Sequence, residues 1–409
     1  MPIRSPFGGG SGPTQGFRHA SLTVLAGSGL GHFISLALTP AIARIYSPTT
    51  FGVFASVLAA STTLVGISTF RLEVLAQRTR EDAQARSLFR VALASNLAWG
   101  LAGSLAAVTA AVMTGQLLWL AAGLLVVVAS LQLVGTGILT RAGGYRQLAG
   151  ANLAQGSGAG TLQVVFGVIS PTPASLLAGF ILARVVWVRA ILGFVPGHHA
   201  PLDGTAVRRF ALAAGPSALV NSLGGQAPIL LASLAYGTSG AGLLAMAIRL
   251  VVSPLSIVGQ AAASATLGEV GRSIREGEGS AAYVVRRAMR DLLLLGLIPC
   301  ALAALLGRMA VPFLLGTEWE TAGSLVALLA AGTLAQLVVS PFAQLLNLLG
   351  RSRQLLMWDI TRLVLIVAAW LVPAFFGQSL VVTVAVYTSV LVAIYGLLWW
   401  LLRKALRRV

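Results

Sequence analysis

Residues 51–90 read FGVFASVLAASTTLVGISTF and then RLEVLAQRTREDAQARSLFR. The first half carries no charge and is about as long as a helix that crosses a hydrocarbon layer of ~30 Å. The second half contains five arginines, and another apolar run, 91–113, follows it. Apolar runs of this length, separated by short basic segments, are typical of a polytopic helical membrane protein.

The composition of the whole chain supports the same class. Of its 409 residues, 57% are hydrophobic and only 10% are charged, and the mean hydropathy is +0.87. A soluble domain carries roughly 25% charged residues because its surface faces water. The net charge of +17 would suggest nucleic acid in a soluble protein. Here the basic residues lie between apolar runs, so membrane topology explains them and we expect no nucleic-acid partner.

Apolar windows predict an all-α polytopic fold with about twelve transmembrane helices. The predicted spans are 20–42, 51–70, 91–113, 117–139, 148–169, 174–195, 210–235, 241–266, 292–315, 322–346, 356–376 and 380–402. The fifth and seventh spans are rich in glycine and polar residues, so counts of eleven and thirteen remain alternatives.

Basic residues fall on alternate connections between these spans. Twenty-two of 28 lie in the termini and in segments 71–90, 140–147, 196–209, 267–291 and 347–355. Only Arg44 and Arg308 lie near the other side. Cytoplasmic segments carry the excess of basic residues, so both termini are predicted to be cytoplasmic.

Two short stretches recur along the chain. YSPTTFGVFA at 46–55 resembles YGTSGAGLLA at 236–245, an offset of 190, and GGYRQL at 143–148 resembles GRSRQL at 350–355, an offset of 207. The shared order predicts two six-helix lobes related by a pseudo-twofold axis along the membrane normal. The predicted parts are a flexible tail 1–17, an N-terminal lobe 18–195, a linker 196–209, a C-terminal lobe 210–402 and a basic tail 403–409.

Arginines inside spans are candidate binding residues, because a charge at this depth is costly unless it faces a cavity or a partner. Arg249 lies nine residues into span eight, and Arg184 lies near the middle of span six. His32, in the middle of span one, is either a packed residue or a further cavity residue.

Two pairs of charged residues are candidates for coupling or gating. Asp359 and Arg362 are three residues apart and share a helix face, which predicts a local ion pair. Arg71 and Glu73 end span two, where they could gate the mouth of a pathway or anchor the helix at the interface.

Span seven combines helix-weakening and polar residues. Pro216, Gly224 and Gly225 accompany Asn221 and Gln226. A proline frees a backbone carbonyl and permits a kink. We therefore expect span seven to be a broken or bending helix.

The sequence contains no enzyme signature. We find no set of metal-spaced ligands, no phosphate-binding loop and no nucleophile elbow, and His198 and His199 have no obvious third ligand. A membrane polymerase or ligase would be expected to carry a sizeable outer loop, and the outer connections are very short. We expect no catalytic residues, no metal and no cofactor.

A family resemblance emerges from motifs in both halves. The motifs are Arg44-Ile-Tyr-Ser-Pro48, Phe51-Gly52, Arg71-Leu-Glu73, Pro216-Ser, Ala247-Ile-Arg249 with Pro254, Gly259-Gln260, Gly316-x-Glu-Trp319, Ser340-Pro341, Asn347-Leu-Leu-Gly350-Arg351 and Asp359. Their order and spacing over residues 17–400 resemble bacterial Wzx-type oligosaccharide flippases of the multidrug/oligosaccharidyl-lipid/polysaccharide exporter superfamily.

The resemblance implies two six-helix lobes around a central cavity in the bacterial inner membrane. It implies transfer of a polyprenyl-diphosphate-linked oligosaccharide to the outer leaflet, for cell-surface polysaccharide. Cavity residues would be Arg249 and Arg184, with Arg44, His32, Asn221 and Gln260 as further candidates. The implied partners are this lipid-linked sugar, membrane lipids, and polysaccharide polymerase and chain-length machinery.

The alternative is a drug exporter of the same superfamily. Such exporters handle organic cations and favour acidic cavities, whereas these spans contain more arginine than acid. Neither the glycan nor a coupling ion is readable from the sequence.

Overall fold

The computed structural model describes residues 13–115, 117–195, 197–198, 200–276 and 281–406. Residues 1–12 and 407–409 of the predicted tails lie outside these ranges, and so does His199. The described residues form fifteen α-helices and no strand. The helices are α1 Pro13–Ala37, α2 Thr39–Ile45, α3 Pro48–Ser68, α4 Leu72–Arg78, α5 Asp82–Thr114, α6 Ala122–Arg141, α7 Tyr145–Ile169, α8 Pro173–Arg184, α9 Val186–Phe194, α10 Gly204–Glu276, α11 Ala281–Leu315, α12 Glu320–Val339, α13 Leu345–Leu348, α14 Ser352–Phe375 and α15 Leu380–Leu406.

Ten described helical segments are long and apolar enough to cross a membrane. This confirms the all-α polytopic class, while the number twelve stays a prediction. Helix α10 counts once among the ten, although Gly237, with φ 70° and ψ −176°, divides it into arms 204–236 and 238–276. Helix α7 is 25 residues long but more polar, and it is not among the ten.

The chain groups into two compact units. Unit 1 contains Met1–Leu38 and Ser61–Leu219, and unit 2 contains Thr39–Ala60 and Val220–Val409. The first boundary coincides with the break between α1 and α2. These units differ from the predicted lobes because residues 39–60 pack with the second half of the chain. The division into six spans per lobe therefore stays a prediction.

Unit 1 combines close helix crossings with buried hydroxyl groups. A Cβ on Gly27 of α1 would lie 2.5 Å from the carbonyl oxygen of Ala149 on α7, so the two backbones approach closely. The Ser68 and Ser130 hydroxyls lie 2.7 Å apart, and the Ser95 hydroxyl donates to the Ser68 carbonyl at 2.8 Å. Small residues and interhelical hydroxyl bonds of this kind hold membrane helices together.

In unit 2, α3 and α10 cross at two glycines. A Cβ on Gly52 would lie 1.7 Å from the carbonyl oxygen of Thr238, and one on Gly242 would lie 1.9 Å from that of Pro48. Positions 52 and 242 are separated by the repeat offset of 190, and so are positions 48 and 238. A reciprocal contact of this kind is what a local twofold axis produces, and it supports the internal repeat.

Aromatic contacts hold the same segment, 39–60, at Ala43 and Phe51. The Trp319 indole N–H donates to the Ala43 carbonyl at 2.9 Å, and the Trp319 and Phe51 rings meet edge to face with centroids 6.0 Å apart. Trp319 is fully buried. These contacts explain why a segment early in the chain belongs to unit 2.

The expectation of a break near Pro216, Gly224 and Gly225 is wrong. The backbone of α10 stays helical there, and its non-helical residue is Gly237. Gly224 instead makes room for a partner, since a Cβ on it would lie 2.8 Å from Nη2 of Arg362. Gly215, within unit 1, likewise gives space to the Phe70 ring, 2.8 Å from its Cβ position. Close packing therefore accounts for Gly224, whose pattern suggested flexibility, and also for Gly215.

Candidate functional site

Arg249 lies on the second arm of α10 and contacts a segment more than two hundred residues earlier in the chain. Its Nε donates to the Thr39 hydroxyl at 3.1 Å, and Thr39 is fully buried. Arg249 is about 17 Å along the arm from Thr238, at 1.5 Å per residue, which is deep within a spanning helix. The structure thus places a guanidinium, half-buried, between α10 and the start of α2.

Arg184, in unit 1, contacts Phe180 within its own helix. Its Nη1 donates to the Phe180 carbonyl at 3.2 Å, and its guanidinium carbon lies 3.4 Å from the centre of the Phe180 ring. Its Nε is buried and has no hydrogen-bond partner within the described residues. Arg184 is also the last residue of α8, where span six breaks into α8 and α9. The last carbonyls of a helix carry partial negative charge, which a basic side chain near that end stabilises.

Two further cavity candidates contact main-chain carbonyls. Arg44 is exposed, and its Nε and Nη2 each approach a carbonyl near the end of α11, those of Leu314 and Phe313, at 3.4 Å. This placement favours a helix-capping role for Arg44. His32, in unit 1, is exposed, and its Nδ1 bonds the Ser28 carbonyl at 2.8 Å. Its Nε2 takes no part in that bond.

A polar cluster in unit 2 joins α10 to α14. Arg362 donates through Nη2 to Asn221 Oδ1 at 3.1 Å and pairs with Asp359 at 3.4 Å, which confirms the predicted ion pair. Its guanidinium also lies over the Trp358 ring, 4.9 Å from the centroid. A cavity of about 100 Å³ adjoins Arg362 and is also lined by Thr333, Gln336, Tyr387 and Tyr395. Asn221, Asp359 and Arg362 are thus brought together, whereas Gln260 lies exposed farther along α10.

Arg71 and Glu73 follow span two in unit 1 and behave differently. Arg71 is exposed and adopts a left-handed φ of 58°, next to Phe70 at 48°. Two consecutive non-glycine residues in this region are strained. Glu73 is buried, its Oε2 has no hydrogen-bond partner within the described residues, and burial raises the pKa of its carboxyl. The nearby Thr69 hydroxyl and Arg71 oppose that rise in pKa.

Sequence reasoning missed several polar residues that the fold brings together. Thr39 is one, because a lone threonine in an apolar run carries no signal of a distant arginine. Another group links α6, α7 and α9 in unit 1: the Trp187 indole N–H donates to Gln155, whose amide donates to Gln132 at 2.9 Å. Gln132 and Gln155 could have been noticed as amides inside spans, although their pairing could not.

Metal ligands do not cluster in the part of the chain that the structure describes. No group of three histidine, cysteine, aspartate or glutamate side chains lies close enough there to hold an ion. The charged groups described above can instead bind anions through guanidinium donors or exchange protons at buried carboxyls.

Solved structures with a similar fold are membrane transporters. An inward-facing multidrug resistance MATE family transporter of the MOP superfamily superposes with a TM-score of 0.62 at 16% identity, covering 94% of this chain and 96% of its own. A mutant of the MATE transporter VcmN of Vibrio cholerae gives a TM-score of 0.67 at 13% identity, covering 97% of both chains.

A third similar structure is also that of a transporter. It is a MOP superfamily transporter from Pyrococcus furiosus, described as having a binding pocket of reverse polarity that suggests a different function. Its TM-score is 0.60 at 16% identity, covering 98% of this chain and 100% of that one. At these identities the likeness establishes the fold alone.

At the level of sequence, no curated protein matches this chain. A family model described as polysaccharide biosynthesis protein matches residues 41–324, more than half of the sequence. That range includes Arg44, Arg71, Glu73, Arg184 and Arg249. The chain therefore belongs to the polysaccharide biosynthesis protein family, as its resemblance to Wzx-type flippases implies, and has the fold of the MOP superfamily transporters.

Proposed function

We propose that this protein carries a polyprenyl-diphosphate-linked oligosaccharide from the cytoplasmic to the outer leaflet of the bacterial inner membrane by alternating access. The observation that carries the proposal is Arg249, a half-buried guanidinium deep in a spanning helix and anchored to Thr39. A charge at this depth is retained at a cost of roughly 3 kcal/mol on insertion scales. Such a cost is reasonable where the charge meets an anionic substrate.

The chemistry of Arg249 suits a diphosphate. A guanidinium offers five N–H donors in a planar fork that matches phosphate oxygens two at a time. Its Nε donates to Thr39, which ties the guanidinium to the start of α2. Each charge-assisted hydrogen bond contributes about 1.5–3 kcal/mol, so one fork can hold a diphosphate at mid-membrane. Arg184 and His32 in unit 1, and Asn221 and Gln260 in unit 2, remain candidate substrate-binding residues.

The division of the substrate follows from its two parts. The oligosaccharide is polar and must cross through water or polar side chains, while the polyprenyl tail can remain in lipid. The family match to polysaccharide biosynthesis supports this substrate class. The alternative is a multidrug or organic-cation antiporter, which the MATE structures leave open. Arg249 disfavours that alternative, because a guanidinium repels an organic cation.

Alternating access requires a contact that closes and opens. The crossing of Gly52 with Gly242 is our candidate for the closed gate, because the two backbones lie too close for any side chain between them. Polysaccharide polymerase and chain-length machinery are our candidate partners on the outer side of the membrane.

Coupling to an ion gradient needs groups that change charge, and we assign two candidate sites. One is the Asp359–Arg362 pair in unit 2, at 3.4 Å. The other is the buried Glu73 beside Arg71 in unit 1. Either carboxyl could be protonated in one state and ionised in another.

Deletion of the gene in its own host tests the function. We expect the deletion strain to lose surface polysaccharide and to accumulate lipid-linked oligosaccharide that stays inaccessible to reagents outside the inner membrane. The wild-type gene on a plasmid should restore both. Normal polysaccharide together with new sensitivity to organic cations would overturn the proposal and favour the drug exporter.

A further inference from the structure

The exposed face of α15 ends in two tryptophans and two cations. Trp399 and Trp400 are 44% and 51% exposed. Arg403 follows Trp399 by four residues, and Lys404 follows Trp400 by four. The Arg403 guanidinium lies 5.3 Å from the Trp399 ring centre, and the Lys404 ammonium lies 5.2 Å from that of Trp400. Each cation thus extends along the helix from its aromatic partner.

The face above this pair of contacts is apolar and continuous. Val382, Val386 and Leu397 are exposed on the same side of α15 as Trp400. From Val382 to Trp400 the helix rises about 27 Å, close to the ~30 Å hydrocarbon thickness of a bilayer. The tryptophans therefore fall at the membrane–water interface, where aromatic side chains are enriched. Arg403 and Lys404 lie about one turn farther along, at the level of the lipid phosphates.

Neither cation has an acidic partner in the described part of the chain, where the side chains of Arg403 and Lys404 make no hydrogen bond or ion pair. Arg86 in unit 1 also lies near an aromatic ring, with its guanidinium carbon 5.8 Å from the Phe194 ring centre. It differs because its Nε already donates to the His198 carbonyl at 2.8 Å. The sequence adds Arg407 and Arg408 beyond Lys404 and no acid. Arg403 and Lys404 thus carry positive charge that no acid neutralises within the described residues.

We propose that the end of α15 is a binding site for the phosphate head group of an anionic phospholipid. Arg403 and Lys404 contact the phosphate, while Trp399 and Trp400 pack against the glycerol and upper acyl region. The apolar stripe that leads into the site favours a lipid of the surrounding bilayer over a protein partner. This site uses none of the residues proposed for transport, so it stands whether or not the proposed function is correct.

Quenching of tryptophan fluorescence by brominated lipids tests the site in the full-length protein. Proteoliposomes of phosphatidylcholine would contain an equal fraction of either brominated phosphatidylglycerol or brominated phosphatidylcholine. The signal of the two tryptophans is the difference between the wild type and W399F/W400F. Because each basic residue near an anionic surface strengthens attraction about fivefold, we expect at least about twofold stronger quenching by the brominated anionic lipid.

Two variants separate the site from general surface charge. R403Q/K404Q should bring the quenching ratio to about one, whereas R403K/K404R should keep it. The matched control R286Q/R287Q removes two adjacent exposed arginines of α11 and should leave the ratio unchanged. Raising the salt concentration should lower the ratio in the wild type by screening. Equal quenching in the wild type, or a preference that survives R403Q/K404Q, would overturn the proposal.

Discussion

The two deepest candidate arginines are held in contrasting ways. Arg184 is supported within its own helix, by the carbonyl and ring of Phe180 four residues earlier. Arg249 is supported by Thr39, which lies 210 residues away in sequence. A local partner can satisfy an arginine in many arrangements of the fold, whereas a distant partner is present only when two segments are in place. Arg249 is therefore the arginine that can report on, and respond to, the arrangement of residues 39–60 with α10.

Loss of Arg249 should have the largest effect. Arg249→Ala removes the donor fork proposed for the diphosphate. One strong charged hydrogen bond contributes about 1.5–3 kcal/mol, so we expect polysaccharide export to fall at least about tenfold. Arg249→Lys should recover part of it, because an ammonium keeps the charge and loses the fork. Export would be measured as surface polysaccharide per unit of protein in the membrane. Undiminished export by Arg249→Ala would remove this residue from the site.

The glycine crossing should have the next largest effect, because it brings residues 39–60 against α10. Gly242→Ala places a Cβ 1.9 Å from the Pro48 carbonyl oxygen, so the backbones must separate. Overpacking of this kind costs about 1–3 kcal/mol, and we expect a lower melting temperature together with reduced export. The control is Gly225→Ala, where no atom lies within 4 Å of the added Cβ. Equal stability of the two variants would contradict a tight crossing.

Removal of the distant partner alone should have an intermediate effect. Thr39→Val keeps the size of the side chain and removes the hydroxyl that accepts from Arg249 Nε at 3.1 Å. A hydrogen bond to a charged group contributes about 1.5–3 kcal/mol, part of which a water can replace, so we expect export to fall about threefold to tenfold. Thr39→Ser keeps the hydroxyl and is the matched control. Equal losses in both variants would mean that packing, and not the hydroxyl, matters at this position.

Glu73 gives a pH-dependent test within the unit that contains Arg184. A carboxyl whose pKa is raised by burial holds more protons in the folded state than in the unfolded one. Stability from this group is therefore lost as the pH rises from the unfolded pKa of about 4.3 towards the raised folded pKa. Glu73→Gln should remove that loss, so its melting temperature relative to wild type should be more favourable at pH 7.5 than at pH 4.5. A difference in melting temperature between Glu73→Gln and wild type that does not change with pH would contradict this expectation.

Arg184 should show the smallest change in export. Arg184→Ala removes a guanidinium that contacts Phe180 of its own helix. We expect export to fall less than about threefold, while stability falls with the lost cation–π contact of about 1–2 kcal/mol. The measurement is export per folded protein beside that of Arg249→Ala. A tenfold loss without a loss of stability would place Arg184 in the binding site and remove the contrast with Arg249.

Much of the fold was predictable because it is encoded locally. The charge-free run 51–70 and most other predicted spans correspond to long apolar helices, and the spacing of Asp359 and Arg362 predicted their ion pair. The repeat at offset 190 was visible in the sequence, and the reciprocal contact of Gly52 and Gly242 supports it. Helix periodicity and membrane length are properties of short windows, so a sequence reveals them directly.

The remainder depends on contacts between distant segments. No local pattern indicates that Thr39 meets Arg249, or that residues 39–60 belong with the second half of the chain. Gly224 misled the prediction because glycine permits both bending and close packing, and only the approach of Arg362 distinguishes them. The site therefore had to be read from the structure, although its charged members were visible in the sequence.

Direct translocation in a purified system tests the central claim. The full-length protein would be reconstituted in liposomes with a polyprenyl-diphosphate oligosaccharide that carries a fluorescent label on its sugar, and membrane-impermeant quencher would report the accessible leaflet. The account predicts rapid loss of leaflet protection with wild-type protein and a rate at least tenfold lower with Arg249→Ala, as a lost charge-assisted contact implies. Protection that persists with wild-type protein, in liposomes where an established flippase removes it, would contradict the account.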